Sequence, residues 1–276
     1  MPDGMVEERK QSVDSGNMTQ SFRGVRYDQG EFSRDGLELI VEEPLVIRIQ
    51  ESPYSVVMRT PGEELAHAAG FCLAEGLLDS SGDLLDLDYC RHLDPNVVDV
   101  WLKPERLEKV RGLLERRGFV SQTSCGICGK ELLDDLHQIV RPLEGGFELP
   151  VDGIFQCLEK LFSRQNYYRR TRGTHAALLL DRQLESLAFA EDVGRHNALD
   201  KVIGRALLDG SLERAGPVAL SSRISFELVQ KAARSRLPVM LSKSRPTALA
   251  VTMARGLNMT LACVPERSQL LILCGE

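Results

Sequence analysis

From residue 218 onward short apolar runs alternate with helical patterns, and this alternation most tightly constrains how the chain can fold. Strands are expected at residues 218–220, 239–241, 260–264 and 270–273, with helices at 224–235 and 247–256 between them. A chain patterned this way builds layered α/β structure, because each apolar strand needs helices to cover its faces. Upstream, residues 151–164 read as a helix, 176–180 and 184–190 as strands, and another helix follows Arg195. Residues 151–276 are therefore read as one α/β domain.

The N-terminal half reads differently, as a smaller α+β domain over residues 21–118. Two strands, 45–50 and 54–59, flank Glu51-Ser52-Pro53 and form a hairpin. Thr60-Pro61-Gly62-Glu63 then offers a cap, a proline at the first helical position and a glutamate three residues past the cap, opening a helix that Gly76 closes. His67 and Cys72 on that helix read as packing residues. Strands at 84–89 and 97–102 precede a helix at 104–117 stopped by Gly118. Residues 1–20 are expected to be a disordered tail, and residues 119–150 a loop and linker.

Charge and length narrow the function. The 276 residues carry a formal net charge of −6, which argues against a nucleic-acid binder. The N-terminal segment lacks the apolar core of a signal peptide, and no run approaches the ~18 apolar residues of a membrane span. A cytoplasmic protein without a membrane partner is expected. Its seven cysteines, at positions 72, 90, 125, 128, 157, 263 and 274, are odd in number and irregularly spaced, unlike a secreted disulfide framework.

Two of those cysteines sit in Ser124-Cys125-Gly126-Ile127-Cys128-Gly129-Lys130, a glycine-punctuated loop. A Cys-x-x-Cys pair has three chemical readings: half a zinc site, a dithiol redox pair, or a sulfur carrier. A structural zinc needs about four ligands, and no second pair is present. The zinc deaminase pattern also fails, since serine rather than proline precedes Cys125 and alanine stands two places after His67, His175 and His196. No metal site is expected. A carrier needs an accessible thiolate with reach, and Lys130 together with a following helix N-terminus favours the thiolate of Cys125.

Three strand-to-helix junctions look suited to anions. Glu191-Asp192-Val193-Gly194-Arg195-His196-Asn197 places acid, base and cation within one turn, although a plain capping loop would have the same composition. Ser221-Ser222-Arg223 and Ser242-Lys243-Ser244-Arg245 each follow a strand and precede a helix. Helix N-termini direct backbone N–H groups at phosphates, and open α/β sheets bind ligands at such ends.

Taken together, Ser124-Cys125-Gly126-Ile127-Cys128-Gly129, the long segment from Glu191 to Lys201, and Ser221-Ser222-Arg223 resemble the FdhD/NarQ family of formate dehydrogenase accessory proteins. The likeness spans residues 41–273. It implies a cytidine deaminase-like C-terminal domain lacking the zinc site, beside the smaller N-terminal domain, and a homodimer. It implies a sulfurtransferase that takes sulfur from a cysteine desulfurase and passes it to the molybdenum bis(molybdopterin guanine dinucleotide) cofactor of formate dehydrogenase. That cofactor is cargo. Cys125 takes the persulfide position and Cys128 matches the second cysteine. The guanine nucleotide portion would be held by Arg195, His196, Ser222, Arg223, Lys243 and Arg245. A basic, glycine-containing family loop corresponds here to Cys263-Val264-Pro265-Glu266-Arg267, which lacks the glycines and carries Glu266. The competing function is a non-catalytic escort for the cofactor or the dehydrogenase.

Overall fold

The computed structural model describes residues 18–90, 95–116, 141–144, 147–266 and 269–275. Strands β1 (Thr19–Asp28) and β2 (Glu31–Ile40) pair as an antiparallel hairpin. Four strands, β3 (Glu43–Ile49), β4 (Ser52–Arg59), β5 (Leu84–Tyr89) and β6 (Val97–Leu102), form a sheet in the order β4-β3-β6-β5, parallel only between β3 and β6. The large sheet has the order β12-β11-β10-β9-β7-β8. It is built from β7 (His175–Asp181), β8 (Ser186–Asp192), β9 (Ala215–Leu220), β10 (Val239–Ser242), β11 (Thr260–Glu266) and β12 (Gln269–Cys274).

Seven helices surround these sheets among the described residues: α1 (Glu64–Ala74), α2 (Pro104–Arg116), α3 (Val151–Arg164), α4 (Asn166–Thr171), α5 (Arg195–Leu208), α6 (Phe226–Arg234) and α7 (Ala248–Gly256). The apolar runs of β7 and β9 are buried on both faces, as strands between two helical layers must be. Alternate residues divide the work. Ala176, Leu178 and Leu180 pack with Ile154, Leu158 and Leu161 of α3, whereas Ala177 and Leu179 join the core beneath α5 to α7. That second core runs on through Ala69 and Leu73 of α1 to Leu45, Ile47, Val98 and Val100 of the four-stranded sheet. The two halves therefore share one continuous apolar core, with α1 between the small sheet and α5.

Where α1 and α5 cross, their backbones touch. A Cβ on Gly70 would lie 1.9 Å from the Asp200 carbonyl oxygen, and one on Gly204 would lie 1.8 Å from that of Ala66. Neither position admits a side chain without moving backbone. At its C-terminus α1 ends as expected: Gly76 takes φ +79°, its N–H reaches the Leu73 carbonyl at 3.1 Å and the Leu77 N–H reaches that of Cys72 at 2.8 Å.

Several boundaries differ from those read in the sequence. The α1 helix begins at Glu64, because Gly62 has φ +97° and Glu63 φ +61°, so Thr60 to Glu63 form no helical turn. The hairpin turn is Gln50-Glu51, both with positive φ, and Pro53 lies in β4, an edge strand that tolerates it. Of the tail expected over residues 1–20, residues 1–17 lie outside the described residues, while Thr19 and Gln20 open β1. The β1–β2 hairpin and α4 were not read from the sequence. No helix among the described residues is long and apolar enough to cross a membrane.

Candidate functional site

Strands β9, β10 and β11 run parallel, and β8 shares their direction through two antiparallel steps across β7. The C-terminal ends of all four thus reach the same edge of the large sheet, where α5, α6 and α7 begin. The topology gathers Arg195, His196, Ser222, Arg223, Lys243 and Arg245 there, together with the end of β11. Three helix N-termini converge on this edge and add partial positive charge to the cations.

Most of the Glu191 to Lys201 segment faces inward. Buried Glu191 accepts the Tyr167 and Tyr168 N–H groups at 2.9 and 2.8 Å and the Thr174 hydroxyl at 2.9 Å, so it caps α4. Asp192, fully buried, accepts the Thr60 N–H at 3.1 Å, the Gly194 N–H at 2.8 Å and the Asn197 amide at 2.8 Å. Its Oδ2 also lies 2.7 Å from Lys201 Nζ, which donates to the Thr60 carbonyl at 2.8 Å. Burial lowers the Lys201 pKa, with the Asp192 carboxylate opposing that shift. The Thr60 hydroxyl accepts the Val193 N–H at 3.1 Å. What reads locally as a cap for α1 instead spends N–H and hydroxyl on Asp192 and Val193 at the end of β8, and its carbonyl on Lys201 of α5, all more than a hundred residues away. Asp200 faces Lys231 at 2.8 Å and completes the buried set.

Only the first turn of α5 remains outward. Arg195 and His196 are half-buried, and Arg195 has no carboxylate partner among the described residues. His196 Nε2 lies 2.9 Å from Glu227 Oε2, an ion-pair distance, although the two are not aligned as a hydrogen bond. The nearby imidazole holds the Glu227 carboxyl below its usual range, with burial opposing and Arg195 reinforcing the shift. His175 opens β7 opposite Asp192, and burial, aided by Arg195 and His196, lowers its pKa. Sequence reading missed His175 and Glu227. The first was legible as the polar residue before the β7 apolar run, but the second joins His196 only through helix packing.

The two serine–arginine junctions are braced against each other. Ser242 Oγ donates to the Ser222 carbonyl at 2.5 Å and accepts the Ser244 N–H at 2.9 Å, while the Thr247 N–H reaches the Ile224 carbonyl at 3.0 Å. Ser222 Oγ turns to the Arg223 carbonyl at 3.1 Å. Thr247 caps α7 by accepting the Ala250 N–H at 3.3 Å. Arg223 and Arg245 project from this rigid frame, exposed and without an ion-pair partner among the described residues. Exposed Lys243 leans over the Phe162 ring, 5.8 Å from its centroid. In the last junction Cys263 and Val264 are buried, Pro265 is half-buried and Glu266 exposed, whereas Arg267 lies outside the described residues.

Cys125 and Cys128 also lie outside the described residues. The other five thiols are free, and four of them are buried. Burial drives the Cys72 thiol far above its ordinary range, pushes Cys157 up to about 11 and raises Cys263 and Cys274. Half-buried Cys90 has Arg48 Nη1 3.6 Å from its sulfur. Thiols so buried stay protonated and shielded, which ill suits them to nucleophilic sulfur chemistry.

Three comparisons bear on this arrangement. A family profile described as the FdhD/NarQ family matches residues 40–276. The chain is 36% identical over 275 residues to the sulfur carrier protein FdhD of Streptomyces avermitilis, covering 95% of each chain. It is 40% identical over 238 residues to that of Anaeromyxobacter dehalogenans, covering 81% of this chain and 82% of the relative. With the Mycobacterium tuberculosis protein the figures are 40% over 235 residues, 81% and 84%. A crystal structure of a candidate formate dehydrogenase accessory protein from Desulfotalea psychrophila superposes with a TM-score of 0.73 at 20% identity, covering 93% of this chain and 97% of that one, and shares its α/β fold.

Proposed function

The chain belongs to the FdhD/NarQ family, and from that membership we propose a sulfurtransferase that carries persulfide sulfur on Cys125 and delivers it to a nucleotide-bearing molybdenum cofactor for formate dehydrogenase. The observation that carries this reading is the sheet edge where three helix N-termini meet Arg195, Arg223 and Arg245, none of them in an ion pair at contact distance among the described residues. Such an edge suits the diphosphate of a guanine dinucleotide.

In the loading step the Cys125 thiolate attacks the outer sulfur of a cysteine desulfurase persulfide. One S–S bond forms on Cys125, the donor S–S bond breaks, and the donor cysteine leaves as thiolate. In delivery the S–S bond on Cys125 breaks, Cys125 keeps the electron pair as thiolate, and the outer sulfur leaves at the sulfane level for the cargo, which as acceptor would supply the two electrons that bond it as sulfide. Cys128 stands close enough in sequence to relay sulfur or protect the persulfide. Burial of four of the other five thiols supports assigning the load to this pair. At the sheet edge, Ser222 and Ser242 hold the loop backbones while Arg223, Lys243 and Arg245 supply charge to the phosphates. Arg195 and His196 flank them. Exposed Glu266 is poorly suited to a phosphate, so Arg267 is the cation of that last loop.

The test is loading by a cysteine desulfurase with free cysteine, read by mass spectrometry after thiol labelling. One additional sulfur on the peptide containing Cys125 is expected, and it should be lost in Cys125→Ala. An unchanged persulfide load in that variant, with folding and desulfurase activity equal, would sink the carrier assignment.

A further inference from the structure

We infer that two copies of this chain assemble by exchanging their N-terminal hairpins, each β1–β2 arm lying on the outer face of the other copy's four-stranded sheet. The homodimer implied by the family likeness names no surface; this assigns one, and it does not depend on the sulfur chemistry.

The arm comes first. An isolated two-stranded hairpin is marginal in water, yet this one runs ten residues in each strand with large apolar side chains left bare. Phe32 is 76% exposed, Val25 66% and Tyr27 64%. The register places these three on one face, with the Tyr27 and Phe32 rings in contact at 4.9 Å between centroids. Arg23 and Arg34 share that face, and neither has an ion-pair partner among the described residues. Arg170 of α4 grips the base through Glu38 at 2.6 Å.

The receiving face is anomalous in the complementary sense. A sheet covered on one side by helices ordinarily turns polar residues outward. Here the inward residues of β3 and β6, such as Ile47 and Val100, pack in the core, and the register sends Val46, Val56, Met58, Val97 and Trp101 outward. Val56 and Met58 are 48% and 49% exposed. The flank is acidic, with Asp86 opposite Trp101 and Asp88 opposite Asp99, although Arg48 on the same face already pairs with Asp99 at 3.0 Å. One face of the arm, apolar with Arg23 and Arg34, and an acidic-edged apolar sheet face thus occur in one chain.

The residues that precede the arm make poor cover for that face. Positions 1–17 contain Asp3, Glu7, Glu8 and Asp14 against Arg9 and Lys10, with few apolar side chains. A second copy matches in sign and in size. A ten-residue hairpin face measures roughly 33 by 10 Å. A two-fold dimer uses both arm and face in each copy, so each contributes about 650 Å², close to the ~800 Å² per partner of a stable interface.

Sedimentation over a dilution series, with emission from Trp101, the chain's single tryptophan, provides the test. The wild type should be a dimer whose emission shifts to the red on dissociation. An arm variant, Tyr27→Glu with Phe32→Glu, and a face variant, Val46→Glu with Val56→Glu, should each dimerise on the order of thirtyfold more weakly or worse, as loss of a buried anchor does. Mixing them should restore a heterodimer, since the face of one and the arm of the other remain intact. Exposed Arg34→Glu, which threatens no core contact, should weaken the dimer on its own. A monomeric wild type, dimers indifferent to these changes, or folded variants that fail to complement on mixing would each overturn the exchange.

Discussion

The Glu191 to Lys201 segment and the loops at Arg223 and Arg245 join strands to helices at the same sheet edge and draw on the same polar chemistry, but they differ in burial. In the first, Asp192 gathers three N–H donors and an ammonium, and nearly every polar group is matched internally. In the second, the serines brace backbone while the guanidiniums project without partners among the described residues. Saturated polar groups fix structure, whereas unsaturated cations at solvent-facing helix N-termini can bind. The Glu191 to Lys201 segment is therefore mainly an architectural knot, and the junctions beside it are the ones left open to an anion.

Substitution at Asp192 is the severest test of this contrast. Asp192→Ala leaves Lys201 buried without its carboxylate and frees the Thr60 N–H, so a loss of about 3–5 kcal/mol is expected by chemical denaturation. A loss within the scatter of surface substitutions would dissolve the distinction. Arg245→Ala should do the opposite, leaving the melting temperature unchanged while GDP affinity falls roughly tenfold or more at modest salt, one charge-assisted contact being worth about 1.5–3 kcal/mol. Calorimetry measures this directly. Equal GDP affinities for wild type, Arg223→Ala and Arg245→Ala would place the phosphates elsewhere.

The smallest effect belongs to His67, fully buried beside the knot with no hydrogen-bond partner on either ring nitrogen among the described residues. Burial, reinforced by Lys201, Lys231 and Arg59, holds its folded pKa well below the ordinary value. The unfolded chain then binds more protons once pH drops below about 6.5, so stability is full above that value and declines as pH falls, by up to about 1.4 kcal/mol per unit. His67→Met should flatten this slope. Unfolding midpoints at neutral and mildly acidic pH that change equally in both proteins would remove His67 from the account.

How much of this was legible depended on the range of the interaction. Elements defined by local pattern, such as the leucine-spaced helix from Pro104, the buried run of β7 and the Gly76 stop of α1, fall where periodicity and cap chemistry put them. Thr60 misled because its sequence neighbours fit a capping box, while its bonds go to Asp192, Val193 and Lys201. No local rule weighs such distant partners. The first hairpin escaped for another reason: Arg23, Arg26, Arg34 and Asp35 interrupt its apolar positions, so it lacks the clean alternation of a half-buried strand. At the site, Arg223 and Arg245 could be named from their junctions, but the His196–Glu227 pairing required knowing that α5 and α6 begin side by side.

The bonds at Thr60 also set a timetable for synthesis. Its partners lie 132 and 141 residues downstream, at Asp192 and Lys201. At ~5–20 residues per second the ribosome would need on the order of ten seconds to supply them. During that interval α1 would have no α5 to cross, and its glycine face and the buried side of the small sheet would stay open to water and to other nascent chains. Closing so long a loop late makes the final docking slow relative to local helix formation. Holdase chaperones should therefore bind nascent chains that end between α1 and α5, and release them once residue 208 has left the exit tunnel.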